Sequence, residues 1–259
     1  MDFKIPQFST DKELFDFLVK HEDDIFYSRK QAIKYADGFT GLTVNSSNTL
    51  YNKSGVEINQ NKDYIDVVSV INTTKLLDSH SDVHIDGLWD KSLSENKRLK
   101  HLQEHKMAFD KIIADKDDLK AYVKTFSWKE LGYNVKGNTQ ALVFESRIHK
   151  ERNPYMFEQY SKGNVDNHSV GMRYVKMVTC INDDDYPTQK ENYEKYAPMI
   201  ANSDELEHVK YFWAVTEAKA IEGSAVPMGS NMITPTISTK QEIEEIEKIN
   251  PYKNWLGLK

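Results

Sequence analysis

The spacing of apolar residues changes along the chain from a helical to a strand-like pattern. Between residues 10 and 36, apolar positions recur three and four residues apart, and Thr10 or Asp11 is placed to cap the start of a helix. Residues 64–71 are instead rich in β-branched side chains, which predicts a strand. The chain is therefore expected to begin with helical structure and to continue into a β-rich region.

The rest of the chain continues this β-rich character, with short helices between the strands. Residues 38–62, rich in glycine and asparagine, predict turns, and residues 76–89 predict a polar loop with apolar anchors. Further strands are predicted at 119–126, 139–144, 169–180, 208–218 and 220–228. Helices are predicted at 92–100, 153–162, 189–199 and 238–249.

Six or more short strands with a few helices favour one architecture over others. The expected fold is α+β and mainly β, an antiparallel sheet or barrel with peripheral helices. The core is predicted at 63–236, after an N-terminal helical and Gly/Asn-rich extension at 1–62. A charged helix with a stripe of isoleucines is expected within 237–259, and this helix either binds a partner or packs on its own core.

Composition excludes several classes of function. The net charge of −6 leaves no basic excess to neutralise phosphates, so we expect no nucleic-acid partner. The single cysteine, Cys180, lies in an apolar run and is expected to be a buried, inert thiol. We expect no signal peptide, because the first residues lack a basic segment followed by an apolar one. No apolar run is long enough to predict a membrane span.

Two pairs of histidines are spaced four residues apart, a spacing that brings side chains to one face of a helix. The pairs are His80 with His84 and His101 with His105. Such pairs can hold a metal ion, and a metal-dependent hydrolase that uses them would bind stoichiometric zinc. The plainer interpretation is that these histidines are solvated or make ordinary hydrogen bonds, so no metal site is predicted.

Two other stretches carry residues suited to nucleophilic chemistry. Ser169 enters a predicted strand in the segment NHSVG at 167–171, and Glu222 lies inside an apolar strand. A serine hydroxyl is a poor nucleophile unless a histidine takes its proton and a third group orients that histidine. A carboxylate in an apolar strand points to solvent, to a cation or to a histidine. Sequence order alone does not show which histidine approaches the serine.

Four blocks of sequence, in this order, resemble the prohead proteases of tailed phages. They are DSHSDVHIDGLW at 78–89, KHLQEH at 100–105, QYSKGNVDNHSVGMRY at 159–174 and IEGSAVPMGSN at 221–231. Each block is weakly specific by itself, and the similarity extends over about residues 64–236. The resemblance implies a herpesvirus-protease-like antiparallel β-barrel with flanking helices.

The resemblance also implies a catalytic triad. It assigns Ser169 as the nucleophile, His105 as the general base and Glu222 as the third member. Relatives carry an aspartate after the histidine where this chain has Lys106, so His101 is kept as an alternative base. Being four residues apart, the two histidines would share a face of a strand or a helix. His168, next to the serine, would point to the opposite face of its strand and is expected not to be catalytic.

The closing block departs from the family as well, because Gly223 stands where a β-branched residue is usual. The implied activity is a serine endopeptidase that needs no cofactor or metal. Its implied substrates are the major capsid protein, scaffold segments and the protease itself, cut inside the assembling prohead in the host cytoplasm. The alternative is a non-enzymatic capsid assembly or scaffolding protein on the same fold. A homo-oligomer is compatible with either, and the sequence does not decide it.

Overall fold

The computed structural model describes residues 4–33, 63–96 and 98–239 of the chain. The predicted turns at 38–62 lie outside the described residues. So does the predicted C-terminal helix, apart from Ser238 and Thr239, which belong to a strand instead.

The described residues form an α+β structure with more strand than helix, as the sequence predicts. The helices are α1 (Asp11–Lys20), α2 (Glu22–Gln31), α3 (Asp90–Glu95), α4 (Pro154–Ser161) and α5 (Pro187–Tyr196). The strands are β1 (Tyr64–Thr73), β2 (Asp82–His84), β3 (Lys100–Gln103), β4 (Ile112–Asp115), β5 (Leu119–Ser127), β6 (Asn138–His149), β7 (His168–Ile181), β8 (Tyr211–Ala225) and β9 (Thr236–Thr239). Short 3-10 turns connect several of them.

The strands form two sheets. One is four-stranded and antiparallel, in the order β5-β6-β1-β9. The other is five-stranded and is built around β8, which pairs along its length with β7 and on its opposite edge with β2 and β3. Strands β2 and β3 run parallel to β8, whereas β7 is antiparallel to it.

This arrangement corrects the expected antiparallel barrel. The ladders of the described strands divide between two sheets with separate strand orders, and none of them closes a barrel. The second sheet is also mixed rather than antiparallel. Its parallel strands β2 and β3 are only three and four residues long, too short for a hydrophobic alternation to mark them in the sequence. None of the described helices combines the length and the apolar character needed to cross a membrane.

The N-terminal helices share the core of the two sheets. Thr10, one of the two predicted caps, begins α1 and forms a capping box with Glu13. Phe15 and Leu18 of α1 belong to the same buried apolar cluster as Phe144 of the first sheet and Trp213 of the second. The predicted helical stretch is thus two helices, separated at His21, that pack on the core.

A buried ion pair joins α2 to the second sheet. The Arg29 guanidinium lies 2.5 Å from a carboxylate oxygen of Asp82 and 3.6 Å from the centre of the Trp213 ring. The other oxygen of Asp82 accepts a hydrogen bond of 2.7 Å from the Tyr174 hydroxyl. Because Asp82 is only 1 % exposed, its charge depends on these partners for compensation.

Replacing Arg29 with alanine is expected to destabilise the fold strongly. The variant leaves the Asp82 carboxylate buried without its cation, which typically costs about 3–5 kcal/mol of unfolding free energy. Chemical denaturation measures the loss. The matched control is Lys12→Ala, which removes an ion pair with Asp185 whose two side chains are 70 % and 67 % exposed. Equal losses for the two variants would contradict the importance of burial.

Candidate functional site

The pairing of β7 with β8 places the predicted nucleophile and the predicted third member on one face of the sheet. Ser169 lies opposite Ser224, and Gly171 lies opposite Glu222. Opposite residues of an antiparallel pair point to the same face, as do residues two apart on one strand. The hydroxyl of Ser169 and the carboxylate of Glu222 therefore project from the same patch of the sheet.

His105 lies between these two side chains and contacts both. Its Nε2 is 2.9 Å from Ser169 Oγ, and its Nδ1 is 2.6 Å from Glu222 Oε1. A carboxylate can only accept a hydrogen bond, so Nδ1 carries the ring proton and Nε2 accepts a hydrogen bond from the serine hydroxyl. The structure thus brings together all three residues that the resemblance assigned.

A tight turn after β3 carries His105 to this position. The ladder of β3 with β8 ends at Gln103, and the next two residues, Glu104 and His105, have φ values of 52° and 56°. The N–H of Lys106 donates to the Gln103 carbonyl over 3.0 Å and closes the turn. Positive φ at a residue with a side chain costs about 1–2 kcal/mol, so this turn stores strain at the histidine.

The turn also separates the two histidines that the sequence expected on one face. His101 is fully buried within β3, and its Nδ1 and Nε2 lie 2.9 Å from Ser146 Oγ and 3.1 Å from the Tyr160 hydroxyl. Both ring nitrogens are therefore engaged away from Glu222. His105, not His101, lies between Ser169 and Glu222, and the shared-face expectation fails because the strand ends between the two histidines.

Behind Ser169, the hydrogen bonds of His101, Tyr160 and His168 form a chain in which only one arrangement of the protons is possible. His168 Nδ1 donates to the Thr234 carbonyl over 2.8 Å, so its Nε2 accepts from the Tyr160 hydroxyl over 2.9 Å. The Tyr160 oxygen then accepts from His101 Nε2, and His101 Nδ1 accepts from the Ser146 hydroxyl. His168 is thereby committed to this chain, which agrees with the expectation that it is not catalytic.

Both histidines of this hydrogen-bonded chain, His101 and His168, are held neutral. Burial lowers the pKa of His168 to about 4, and burial together with the nearby His168 lowers the pKa of His101 well below its usual value. His84, bonded to Asn72 and Tyr174, is buried too, and its pKa is lowered to about 4 by desolvation.

These contacts also bear on the predicted histidine pairs. His84, His101 and His105 have different protein partners instead of facing a common point. Within the described ranges, no group of three or more His, Cys, Asp or Glu side chains is arranged to hold a metal ion. Cys180 is buried as expected, and burial raises the pKa of its thiol to about 12.

Glycine is required at two positions around Glu222. A Cβ added at Gly171 would lie 2.2 Å from Glu222 Oε1, the oxygen that contacts His105. A Cβ added at Gly223 would lie 2.6 Å from Phe144 and 2.8 Å from Ile71. The departure from the family at Gly223 therefore fits the packing here, since a β-branched residue would collide with the first sheet.

Sequence reasoning missed one residue of the site, Ser224. It lies two residues after Glu222 on the same strand face, and its hydroxyl touches both Glu222 and the backbone of His105. The alternation of side chains along a strand puts Ser224 on the same face as Glu222, and this was the available signal. It does not show which elements lie above that face of the sheet.

Gly171→Ala is expected to disable the site with limited damage to the fold. The new methyl group displaces the Glu222 carboxylate, and a misplacement of about 1 Å in such a constellation can cost about 100-fold in rate. The measurement is the reaction rate of Ser169 with a fluorophosphonate, a reagent that modifies activated serines. Gly163→Ala is the control, because its φ of +67° brings strain while no atom lies within 4 Å of the new Cβ. Unchanged reactivity of Gly171→Ala would contradict the inferred close approach.

The buried histidines are expected to make the fold sensitive to acid. Because the pKa of His168 falls from 6.5 to about 4 on folding, its contribution is complete above pH 6.5 and is lost as the pH falls toward 4. The loss amounts to about 3 kcal/mol, since only the unfolded chain binds the proton in this range. His168→Asn keeps a donor for the Thr234 carbonyl and removes this titration.

The measurement is the unfolding free energy of His168→Asn minus that of the unaltered chain, followed from about pH 7.5 to about pH 4. This difference should rise as the pH falls, and subtraction cancels the other titrating groups. A flat difference at His168 would show that His168 takes up its proton equally in both states.

Comparison of the chain with protein-family models, with curated proteins and with solved structures finds no match.

Proposed function

We propose that this chain is a serine endopeptidase in which Ser169 is the nucleophile, His105 the general base and acid, and Glu222 the third member of the triad. One observation carries the proposal. The contacts of 2.9 Å from Ser169 to His105 and 2.6 Å from His105 to Glu222 join residues from three separate elements. Their donor and acceptor roles are those that nucleophilic catalysis by serine requires.

The chemistry follows from these roles. His105 Nε2 takes the proton of the Ser169 hydroxyl as Oγ attacks the peptide carbonyl, and the imidazolium then gives that proton to the leaving amine. Glu222 accepts a hydrogen bond from the Nδ1–H of His105 throughout and stabilises the cation that forms on the ring. A water molecule attacks the acyl-enzyme in the second half of the cycle, and His105 again takes the proton. No step calls for a metal or a cofactor.

The substrates in this proposal come from the sequence resemblance. They are the major capsid protein, scaffold segments and the chain itself, cleaved within the assembling phage prohead in the host cytoplasm. The proposed fold is herpesvirus-protease-like, here with its strands divided between two sheets. Substrates concentrated inside a shell would reach the protease at high effective concentration, so a modest catalyst would suffice.

A second candidate is a non-enzymatic capsid assembly protein on the same fold. One observation favours it, which is the burial of the nucleophile. Ser169 and Glu222 are each 1 % exposed, and the side chain of His105 is 10 % exposed. A substrate carbonyl can reach Ser169 Oγ only if neighbouring groups move, which catalysis requires and an assembly role does not.

Fluorophosphonate labelling of the purified chain separates the two candidates. A protease takes up one phosphonyl group, which peptide mass mapping places on Ser169, and Ser169→Ala abolishes the uptake. Ser94→Ala, at an exposed serine, is the control and should label like the unaltered chain. An unlabelled but folded chain would favour the assembly protein.

Co-expression tests the substrate. The intact mass of the capsid protein is expected to fall when the unaltered chain is present and to stay full-length with Ser169→Ala. Trimming that persists with Ser169→Ala would exclude this chain as the protease, and labelling without trimming would leave the hydrolase but reject the capsid substrate.

A further inference from the structure

Ser224 is a buried hydroxyl in direct contact with the triad, and nothing in the mechanism above uses it. Its side chain is fully buried. Its Oγ lies 3.0 Å from the backbone nitrogen of His105 and 2.6 Å from Glu222 Oε2, the carboxylate oxygen that does not face the imidazole.

Each of these hydrogen bonds has a fixed direction. A backbone N–H can only donate, so Ser224 Oγ accepts from His105. The single hydroxyl proton is then left for the carboxylate, which can only accept. Ser224 therefore accepts a hydrogen bond from the backbone of His105 and donates one to the carboxylate of Glu222. No other rotamer of the hydroxyl proton satisfies both partners.

The bond to His105 acts on the strained part of the site. The left-handed backbone at Glu104 and His105 persists only where its surroundings hold it. Two bonds to the end of β8 do so: the N–H of Glu104 donates to the Ala225 carbonyl over 3.0 Å, and the N–H of His105 donates to Ser224. Of the two, only the bond to Ser224 is made by a side chain, so only that bond can be removed by substitution.

The bond to Glu222 acts on the carboxylate. With Oε2 held by Ser224, the carboxylate cannot rotate without losing a charge-assisted hydrogen bond, and Oε1 stays aimed at His105 Nδ1. The same bond stabilises the negative charge of a carboxylate that has little contact with water.

We propose that Ser224 is a positioning residue of the triad, which fixes the backbone of His105 and the orientation of the Glu222 carboxylate through one hydroxyl. This inference rests on the proposed serine hydrolase. It extends the site from three side chains to four, and it means that Glu222 and Ser224, two residues apart on β8, act together.

Helix α3 carries a matched serine whose hydroxyl bonds strand β8. Ser92 is also buried, and its Oγ accepts a hydrogen bond of 2.8 Å from the backbone N–H of Ala220, two residues before Glu222. Like Ser224, it satisfies a backbone N–H in this part of the molecule. Unlike that of Ser224, its hydroxyl makes no hydrogen bond to His105 or Glu222 within the described residues. Ser92→Ala thus reproduces the structural loss without the positioning loss.

The experiment measures the rate of fluorophosphonate labelling against pH for the unaltered chain, Ser224→Ala, Ser224→Cys and Ser92→Ala. Ser224→Ala is expected to label about 10- to 100-fold more slowly, the range that corresponds to loss of one hydrogen bond to a charged group. The pH of half-maximal labelling should move upward by about half a unit or more, because the unprotonated His105–Glu222 pair loses a donor to its negative charge. Ser224→Cys introduces a weaker donor of similar size, so its labelling rate and midpoint should lie between those of the unaltered chain and Ser224→Ala.

Ser92→Ala is expected to lower the thermal midpoint of unfolding while its labelling midpoint stays where it is in the unaltered chain. If Ser224→Ala behaves in that way too, with a normal rate and midpoint in the folded protein, Ser224 is only structural and the inference is wrong. If Ser224→Ala fails to fold, Ser224→Cys decides by the same two readouts. A failure of the proposed function is a separate result, since then the unaltered chain itself is not labelled.

Discussion

The antiparallel register of β7 on β8 is the constraint on which the rest of the site depends. It sets Ser169 opposite Ser224 and Gly171 opposite Glu222, so that three polar side chains and one gap share a face of the sheet. A slip of one residue would turn the whole set of one strand to the other face. The gap matters as much as the side chains, because the Glu222 carboxylate occupies the space that a Cβ at Gly171 would fill.

The site carries costs that the surrounding fold compensates. Glu222 places a carboxylate in a buried position, and His105 lies in a strained left-handed turn. The same groups offset both costs, since the imidazole and Ser224 bond the carboxylate while Ser224 also bonds the turn. Beneath them, the ordered chain through His101, Tyr160 and His168 fills the interior with satisfied polar groups. Rigid packing on that side holds Ser169 in position.

The two ends of β8 serve different purposes. At one end, Trp213 packs against Arg29 of α2, and this contact ties the N-terminal helices to the core. At the other end, Glu222 and Ser224 meet His105 and Ser169. Trp213 and Glu222 are nine positions apart, which corresponds to about 30 Å of extended strand. The N-terminal helices therefore bear on the stability of the sheet that carries Ser169 and Glu222 rather than on these two residues directly.

The sequence by itself determined the local structure and the chemical inventory. β-branched and alternating stretches predicted β1, β5, β6 and β7, and Thr10 or Asp11 was expected to cap α1, because these features depend on neighbouring residues. The resemblance to prohead proteases singled out Ser169, His105 and Glu222. The sequence pattern did not predict short strands such as β2 and β4, and it predicted two strands where β8 is continuous. These features depend on pairing with other strands, most of which lie far away in the chain.

Only the tertiary structure decided which residues meet. It divided the strands between two sheets and brought Ser224 into the site. It also placed His105 instead of His101 beside Ser169, through a left-handed turn at two residues that are not glycine. The physical reason is that side-chain proximity across strands depends on register and on backbone conformation at single residues, and a slip or a left-handed turn leaves no periodic trace in the sequence.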